Sequence, residues 1–116
     1  MIRSITLALS AGLLLLPTAG MADPIEGTYR TPKTGATARV APCGQSFCMT
    51  YASGQFKGKQ FATMKPNGDG TYSGRLTDYS DGGKEYKGKA RLKGRDIVVE
   101  GCVLFICRGE TFTRIQ

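Results

Sequence analysis

The stretch that decides the fold is Lys84-Glu85-Tyr86-Lys87-Gly88-Lys89-Ala90-Arg91-Leu92-Lys93-Gly94-Arg95-Asp96-Ile97-Val98-Val99-Glu100-Gly101-Cys102-Val103-Leu104. Between Lys84 and Lys93 the residue types alternate: Tyr86, Gly88, Ala90 and Leu92 share one face of an extended chain, and Lys87, Lys89, Arg91 and Lys93 share the other. This is a half-buried strand. Gly94-Arg95 follows as a two-residue loop with glycine first, as a type II′ turn requires, and residues 97–104 run back as the next strand. The turn fixes the register: Leu92 opposes Ile97, Ala90 opposes Val99 and Gly88 opposes Gly101. On the outer face Lys89 meets Glu100 as an opposite-charge pair.

Moving towards the N-terminus, residues 70–79 lead into the same strand through Ser80-Asp81-Gly82, a three-residue loop with glycine where a left-handed conformation is needed. That register sets Leu76 beside Tyr86, Gly74 beside Gly88 and Arg75 beside Lys87. Gly74, Gly88 and Gly101 then line up across three strands on the inward face. The stripe is either a sharp bend that lets a small sheet curl shut, with an aromatic ring over the bare backbone, or space left for a ligand. The bend is the preferred reading. Residues 25–31, 37–41, 48–52, 57–64 and 108–115 read as further strands, separated by turn residues such as Pro32-Lys33-Thr34-Gly35 and Lys65-Pro66-Asn67-Gly68. About eight short strands without helical periodicity predict an all-β chain: a small antiparallel barrel, because closure removes exposed edges.

The composition is consistent with that fold and narrows the chemistry. A chain of 116 residues holds one domain at most, and 41% hydrophobic residues with 16 Gly argue against both disorder and a helical bundle. Lys and Arg number 16 against 9 Asp and Glu, a net charge of +7. There is no His, which removes imidazole as a base, proton shuttle or metal ligand and excludes most familiar hydrolase mechanisms.

Arg3, the apolar run 5–16 and Gly20-Met21-Ala22 predict a secretory signal over residues 1–22, cut after Ala22. The apolar run is too short to span a bilayer, and no later stretch is long and apolar enough. Removing 22 residues and the Arg3 cation leaves a single barrel domain, residues 23–116, of 94 residues and charge +6. The protein is expected to be exported, periplasmic or secreted. Its first cysteine is Cys43, so a lipoprotein anchor is unsupported.

Cys43 and Cys48 form one C-x4-C, and Cys102 and Cys107 form another. Zinc knuckles are usually tighter, and an exported chain meets an oxidising compartment, so two disulfides are expected, with no metal and no cofactor. Of the three connectivities, the local pairs Cys43/Cys48 and Cys102/Cys107 are preferred, since four intervening residues suit a hairpin tip.

Several further pieces stand in order along the chain: Asp23-Pro24-Ile25-Glu26-Gly27-Thr28-Tyr29-Arg30-Thr31-Pro32, Pro42-Cys43-Gly44 with Cys48, and Lys65-Pro66-Asn67-Gly68-Asp69-Gly70. Gly74-Arg75, Asp81-Gly82 with Tyr86, Gly101-Cys102, Cys107-Arg108 and Thr111-Phe112-Thr113-Arg114 complete the set. In this order they resemble one bacterial family, the domain of unknown function family 2147, over nearly all of residues 23–116. The resemblance implies an exported bacterial protein with a lipocalin-like barrel, and no established activity. Members of that family usually carry Trp in the first and last motifs, where this chain has Tyr29 and Phe112 and no Trp at all; its segment between Tyr51 and Phe61 is also shorter. Gly27, Tyr29, Phe112 and Arg114 look like the closing signature of lipocalin-type barrels, a structural role in which a terminal Arg covers an aromatic ring.

Three other features invite a functional reading. Arg75, Lys87, Lys89, Arg91 and Lys93 gather on one outer face, where Arg75 opposite Lys87 is a like-charge pair that an anionic partner would relieve. The same row is also explained as a solvated, solubilising face, helped by Glu85 and Glu100. Val103-Leu104-Phe105-Ile106 puts four apolar residues at a turn, where they either plug one end of the barrel, the preferred reading, or form a hydrophobic tip. Asp78, Asp81 and Glu85 fall near one turn, but paired catalytic carboxylates need opposed roles in a cleft.

The expected function is a non-catalytic barrel that binds a lipid or an anionic cell-envelope component, without nucleic acid, for which the basic face lacks interleaved aromatics. The alternatives are a hydrolase using surface carboxylates and a purely structural or interaction protein; the oligomeric state is not legible. The intact mass of the exported protein is expected to match a chain starting at Asp23 with both cysteine pairs oxidised and no metal bound. A mass retaining residues 1–22, or free thiols, contradicts this.

Overall fold

The computed structural model describes residues 23–116; the signal-peptide reading, residues 1–22, lies outside the described residues. Eight strands follow in chain order: β1 Gly27–Arg30, β2 Thr37–Cys43, β3 Ser46–Tyr51, β4 Gln60–Pro66, β5 Thr71–Asp78, β6 Lys84–Lys93, β7 Asp96–Val103 and β8 Ile106–Arg114. Each pairs antiparallel with the next, and β8 returns to β1 to close the barrel. The seam is short, running through Tyr29 with Arg114 and Arg30 with Thr113. The chain is therefore all-β, a closed eight-stranded barrel, as the alternation and turn chemistry predict.

The central registers agree residue by residue. Leu92 faces Ile97, Ala90 faces Val99 and Gly88 faces Gly101, while Leu76 faces Tyr86 and Gly74 faces Gly88. Gly94 has φ 63° and Arg95 is not among the positive-φ residues, which fits glycine at the first position of a II′ turn. The β5–β6 loop is longer than predicted. Pairing stops at Asp78 with Lys84, leaving five loop residues. The Asp78 carboxylate accepts from the Ser80 amide at 3.0 Å and its hydroxyl at 2.6 Å, and Gly82 and Gly83 take φ values of 69° and 81°. The register survives because two residues, one on each side, leave the ladder together.

Pro66 also differs from expectation, ending β4 opposite Tyr72 instead of entering the turn. At the last position of a strand a missing N–H interrupts no interior ladder bond. Between β3 and β4 the register shifts at Met49/Thr50, so that Met49 faces Ala62 while Thr50 faces Gln60. Phe61 is the extra residue, and this bulge turns both Phe61 and Ala62 into the core.

The glycine stripe works as a bend. A Cβ on Gly74 would collide with the Thr63 carbonyl oxygen, and one on Gly88 would lie 2.6 Å from Met64 Cε. The group laid over Gly88 is thus the Met64 thioether, not the expected aromatic ring; an unbranched side chain reaches across the curl and fills the gap. At Gly101 a Cβ would meet the Leu76 methyl at 3.0 Å and, at ordinary contact distance, the Cβ and Cγ of Tyr86. The contrast gives a test in urea-induced unfolding. Gly74→Ala is expected to cost about 3 kcal/mol, because backbone must move, and Gly101→Ala less than about 1 kcal/mol, because a side-chain tip yields. Equal losses would contradict the bend.

Candidate functional site

The eight strands give the barrel two unlike ends. One carries the Gly44-Gln45 and Gly94-Arg95 turns, residues 67–70 and both ends of the described chain; the other carries residues 31–36, 52–59, 79–83 and the Leu104-Phe105 turn. The first end is closed. Ile25, Tyr29, Met49, Met64 and Ile97 are buried there, and the Tyr29 hydroxyl donates to the Ile25 carbonyl at 2.8 Å. The Arg114 guanidinium lies 4.8 Å from the Tyr29 ring centroid and donates to the carbonyls of Glu26 and Arg95 at 2.7 Å each and of Pro24 at 2.5 Å. Its backbone amide donates to the Asp96 carboxylate at 3.0 Å. Phe112 is buried two residues earlier on the same strand face, and Gly27, at φ 155°, lets the guanidinium and the C-terminal backbone pass where a side chain would stand. Sequence reasoning missed a further tie: the Tyr72 hydroxyl donates to the Asp23 carboxylate at 2.5 Å.

The other end opens into a cavity of about 1070 Å³. A continuous run of rings begins at Tyr79, outside the lining, and passes through the wall rings Phe56, Tyr51, Phe61 and Phe112. Tyr79 lies 5.7 Å from Phe56, Phe56 6.2 Å from Tyr51, Tyr51 stacks on Phe61 at 4.2 Å, and Phe61 lies 6.1 Å from Phe112. Leu76, Tyr86, Val99 and Gly101 line the opposite side. Charge is confined to the rim. Arg108, opposite Gly101 in register, takes an inward-facing strand position on the lining, and Glu110 two pairs deeper forms a 3.2 Å ion pair with Lys33 from the β1–β2 loop. None of these rim residues stood out in the sequence. The signal that finds them is the period of two running back from Arg114 through Phe112, Glu110 and Arg108.

The basic row lies on the outside of β5 and β6, with Arg75, Lys87, Lys89, Arg91 and Lys93 all exposed. Arg75 does face Lys87, but Glu85 answers it with an ion pair at 3.4 Å. Lys89 faces Glu100 without forming an ion pair, and the two border a shallow cleft of about 250 Å³ together with Arg91, Asn67 and Ser73. The structure therefore brings the row together and separates it from the cavity. Cys43 and Cys48 sit on a β2–β3 diagonal with Cα atoms 5.8 Å apart; Cys102 and Cys107 are direct partners across β7–β8 at 4.0 Å, and both pairs are at disulfide distance.

The preferred reading of Val103-Leu104-Phe105-Ile106 as a plug is overturned. These side chains are 52%, 87%, 99% and 68% exposed. A two-residue turn closed by a cross-strand disulfide is too short to fold back over the mouth, so the tip projects. Asp78 caps its own loop and Glu85 points to Arg75, which leaves these two of the three carboxylates near the β5–β6 turn in separate roles. Among the described residues no group of three or more His, Cys, Asp or Glu is placed to hold a metal ion, and no helix is long and apolar enough to cross a membrane.

Residues 27–114 match a family model described as "Uncharacterized protein conserved in bacteria (DUF2147)", and the chain belongs to that family. No curated protein and no solved structure gives a match.

Three phenols at the two ends are held above the ordinary value of 10.0. Burial raises Tyr29 against the opposing pull of Arg114; burial raises Tyr51 with help from Glu110; burial and the hydrogen bond to Asp23 raise Tyr72. In each case the folded value exceeds the unfolded one. The sign is fixed: their contribution to stability is complete below about pH 10 and is lost as pH rises further, because the unfolded chain ionises first. An ultraviolet titration of phenolate should show Tyr29, Tyr51 and Tyr72 resisting ionisation at pH 10 until unfolding releases them. Tyr72→Phe should soften the alkaline loss of stability, and an unchanged alkaline profile would count against the Tyr72–Asp23 tie.

Proposed function

We propose that this member of the DUF2147 family is an exported, non-catalytic binding module that holds an apolar chain with an anionic end, a lipid-type component of the cell envelope, in the open half of its barrel. The observation that carries the reading is the cavity of about 1070 Å³ walled by Tyr51, Phe56, Phe61, Phe112 and Leu76. Sites for small molecules are concave and mostly apolar, with a few polar groups that fix orientation. Here the polar groups stand at the rim. Lys33 and Glu110 neutralise each other and the Asp78 carboxylate is taken up by Ser80, which leaves Arg108 as the cation on the lining with no ion pair among the described residues. A ligand chain entering along the rings places a carboxylate or phosphate at Arg108, which can grip it with two parallel hydrogen bonds.

The absence of His and the structural occupations of Asp78 and Glu85 support a binding role over hydrolysis. A second form of the reading sets an anionic partner on the outer row, since Lys87, Lys89, Arg91 and Lys93 have no ion pair among the described residues. It has less support: Glu85 already meets the like-charge pair that called for an anion, and an open row of lysines gives no shape to select one.

Displacement of a fluorescent fatty acid from the oxidised protein, without vesicles, tests the cavity. A long-chain fatty acid and the alcohol of equal chain length should both compete, the acid more strongly. Arg108→Ala should weaken the acid roughly ten- to a hundredfold, the scale of a charge-assisted contact, and leave the alcohol nearly unchanged. Leu76→Trp, which fills the lining, should weaken both. If neither compound competes, or if Leu76→Trp has no effect, the cavity is not the site.

A further inference from the structure

We propose that the β7–β8 hairpin tip, Val103-Leu104-Phe105-Ile106, is a membrane-docking element that seats the open end of the barrel on an anionic lipid surface. The inference concerns the partner of the tip and stands independently of which ligand the cavity holds. Its first support is exposure without disorder. Phe105 is 99% exposed and Leu104 87%, yet the turn is pinned by Cys102–Cys107 directly beneath it and by the Val103–Ile106 pair. The apolar side chains are held out in water by covalent structure, not released by fraying. Among the described residues Ile115 is the one other exposed large hydrophobic, and contiguous apolar surface such as the tip's marks a docking surface.

Charge identifies what the tip docks on. Apart from Arg108 on the cavity lining, the exposed cations around the same end include Lys84 at the start of β6, Lys87 facing Cys102, and Lys57 and Lys59 in the β3–β4 loop. None of these four has an ion pair among the described residues. Of the carboxylates at that end, Glu110 is paired with Lys33, Glu85 is paired with Arg75, and Asp78 holds its own loop. Asp81 alone is left to oppose the four. A short apolar tip inside a basic collar matches a bilayer with anionic headgroups: side chains enter the acyl boundary while cations remain among the phosphates.

Shape and size argue against the other occupants. A second copy joined tip to tip would bury four residues a side, where a stable protein interface uses roughly 20–30. The tip is convex, and it flanks the cavity mouth, to whose lining Val103, Leu104 and Ile106 belong. Docking therefore turns the opening towards the lipid.

The chain has no Trp, so Phe105→Trp creates a single reporter at the point of deepest insertion. With oxidised Phe105→Trp protein and vesicles of phosphatidylethanolamine and phosphatidylglycerol, tryptophan emission should shift to the blue and be quenched by bromine-labelled acyl chains. Vesicles of phosphatidylcholine alone should bind roughly tenfold more weakly, and salt should weaken the anionic case, since screening acts over about 8 Å at physiological ionic strength. In co-sedimentation, Leu104→Ser with Phe105→Ser should lower partitioning of the otherwise unaltered chain roughly tenfold or more. Thermal unfolding of that double variant should match the parent, because both side chains lie outside the core. Unshifted emission with anionic vesicles, or partitioning that the double serine variant leaves intact, overturns the proposal. So does a blue shift that appears without vesicles and grows with protein concentration, which would assign the tip to a second copy. The cavity reading fails on a different measurement, competition by soluble fatty acid.

Discussion

The barrel depends on one steric permission at Gly74. The Thr63 carbonyl passes through the space a side chain would need, so β4 can fold over β5 instead of lying beside it on a flatter sheet. Met64 then comes down on the bare backbone of Gly88, and the eight-stranded sheet acquires enough curvature for β8 to reach β1. The same curl divides the interior. Where strands are drawn together, Met64, Met49, Tyr29 and Ile97 fill the space; past Gly101, where a Cβ would meet side chains and no backbone, the walls part and the cavity begins. A filled half and an open half are two consequences of one set of glycines.

Closing the filled half falls to polar groups as much as to apolar ones. The β1–β8 seam has only two residue pairs, too few to hold a barrel shut by ladder bonds alone. Arg114 makes up the difference. Its guanidinium covers Tyr29 while donating to carbonyls from the segment before β1 and from the β6–β7 turn, so one side chain ties three pieces of chain at the seam. Tyr72 and Asp23 add a tie from β5 to the first described residue. The disulfides do something different. Each closes a very short loop, and on the loop-entropy view contributes about 2 kcal/mol, so they set the shape of two hairpin tips more than they hold the domain together.

What the sequence made legible follows from which constraints are local. From residue 70 to 104, strand alternation and glycine turns specify the same register twice, so the pairing of Leu92 with Ile97 and the glycine row through Gly74, Gly88 and Gly101 could be read residue by residue. The disulfide partners were legible for the same reason. Features that depend on the third dimension were not. The Phe61 bulge needs β3 and β4 to meet out of step, and the run of rings from Tyr79 to Phe112 joins residues 33 positions apart through the closed sheet. The Lys33–Glu110 pair crosses the β1–β8 seam, so it exists only once the barrel has closed. The apolar tip was visible as a composition, yet its direction was misread, because the rule that apolar residues turn inward assumes a chain long enough to turn.

The two ends of the barrel show how much that tip departs from ordinary turn chemistry. At the closed end Gly44 and Gly94 occupy the first place of their two-residue loops, where positive φ is required and glycine meets it without strain. At the open end the same place in the β7–β8 turn holds Leu104, at φ 55°, the one non-glycine residue with positive φ among the described residues. A branched side chain in that region costs roughly 1 kcal/mol or more against glycine, and exposing it to water recovers none of that. Gly-Arg would close this hairpin as well as it closes its neighbour. Leu-Phe therefore opposes folding economy in both backbone and solvation, with the disulfide one pair below to hold the strained turn in place. Local rules are broken in this way where a surface has work to do outside the fold. On the proposed docking, the apolar pair regains its free energy in contact with lipid, and the basic collar around it favours an anionic surface.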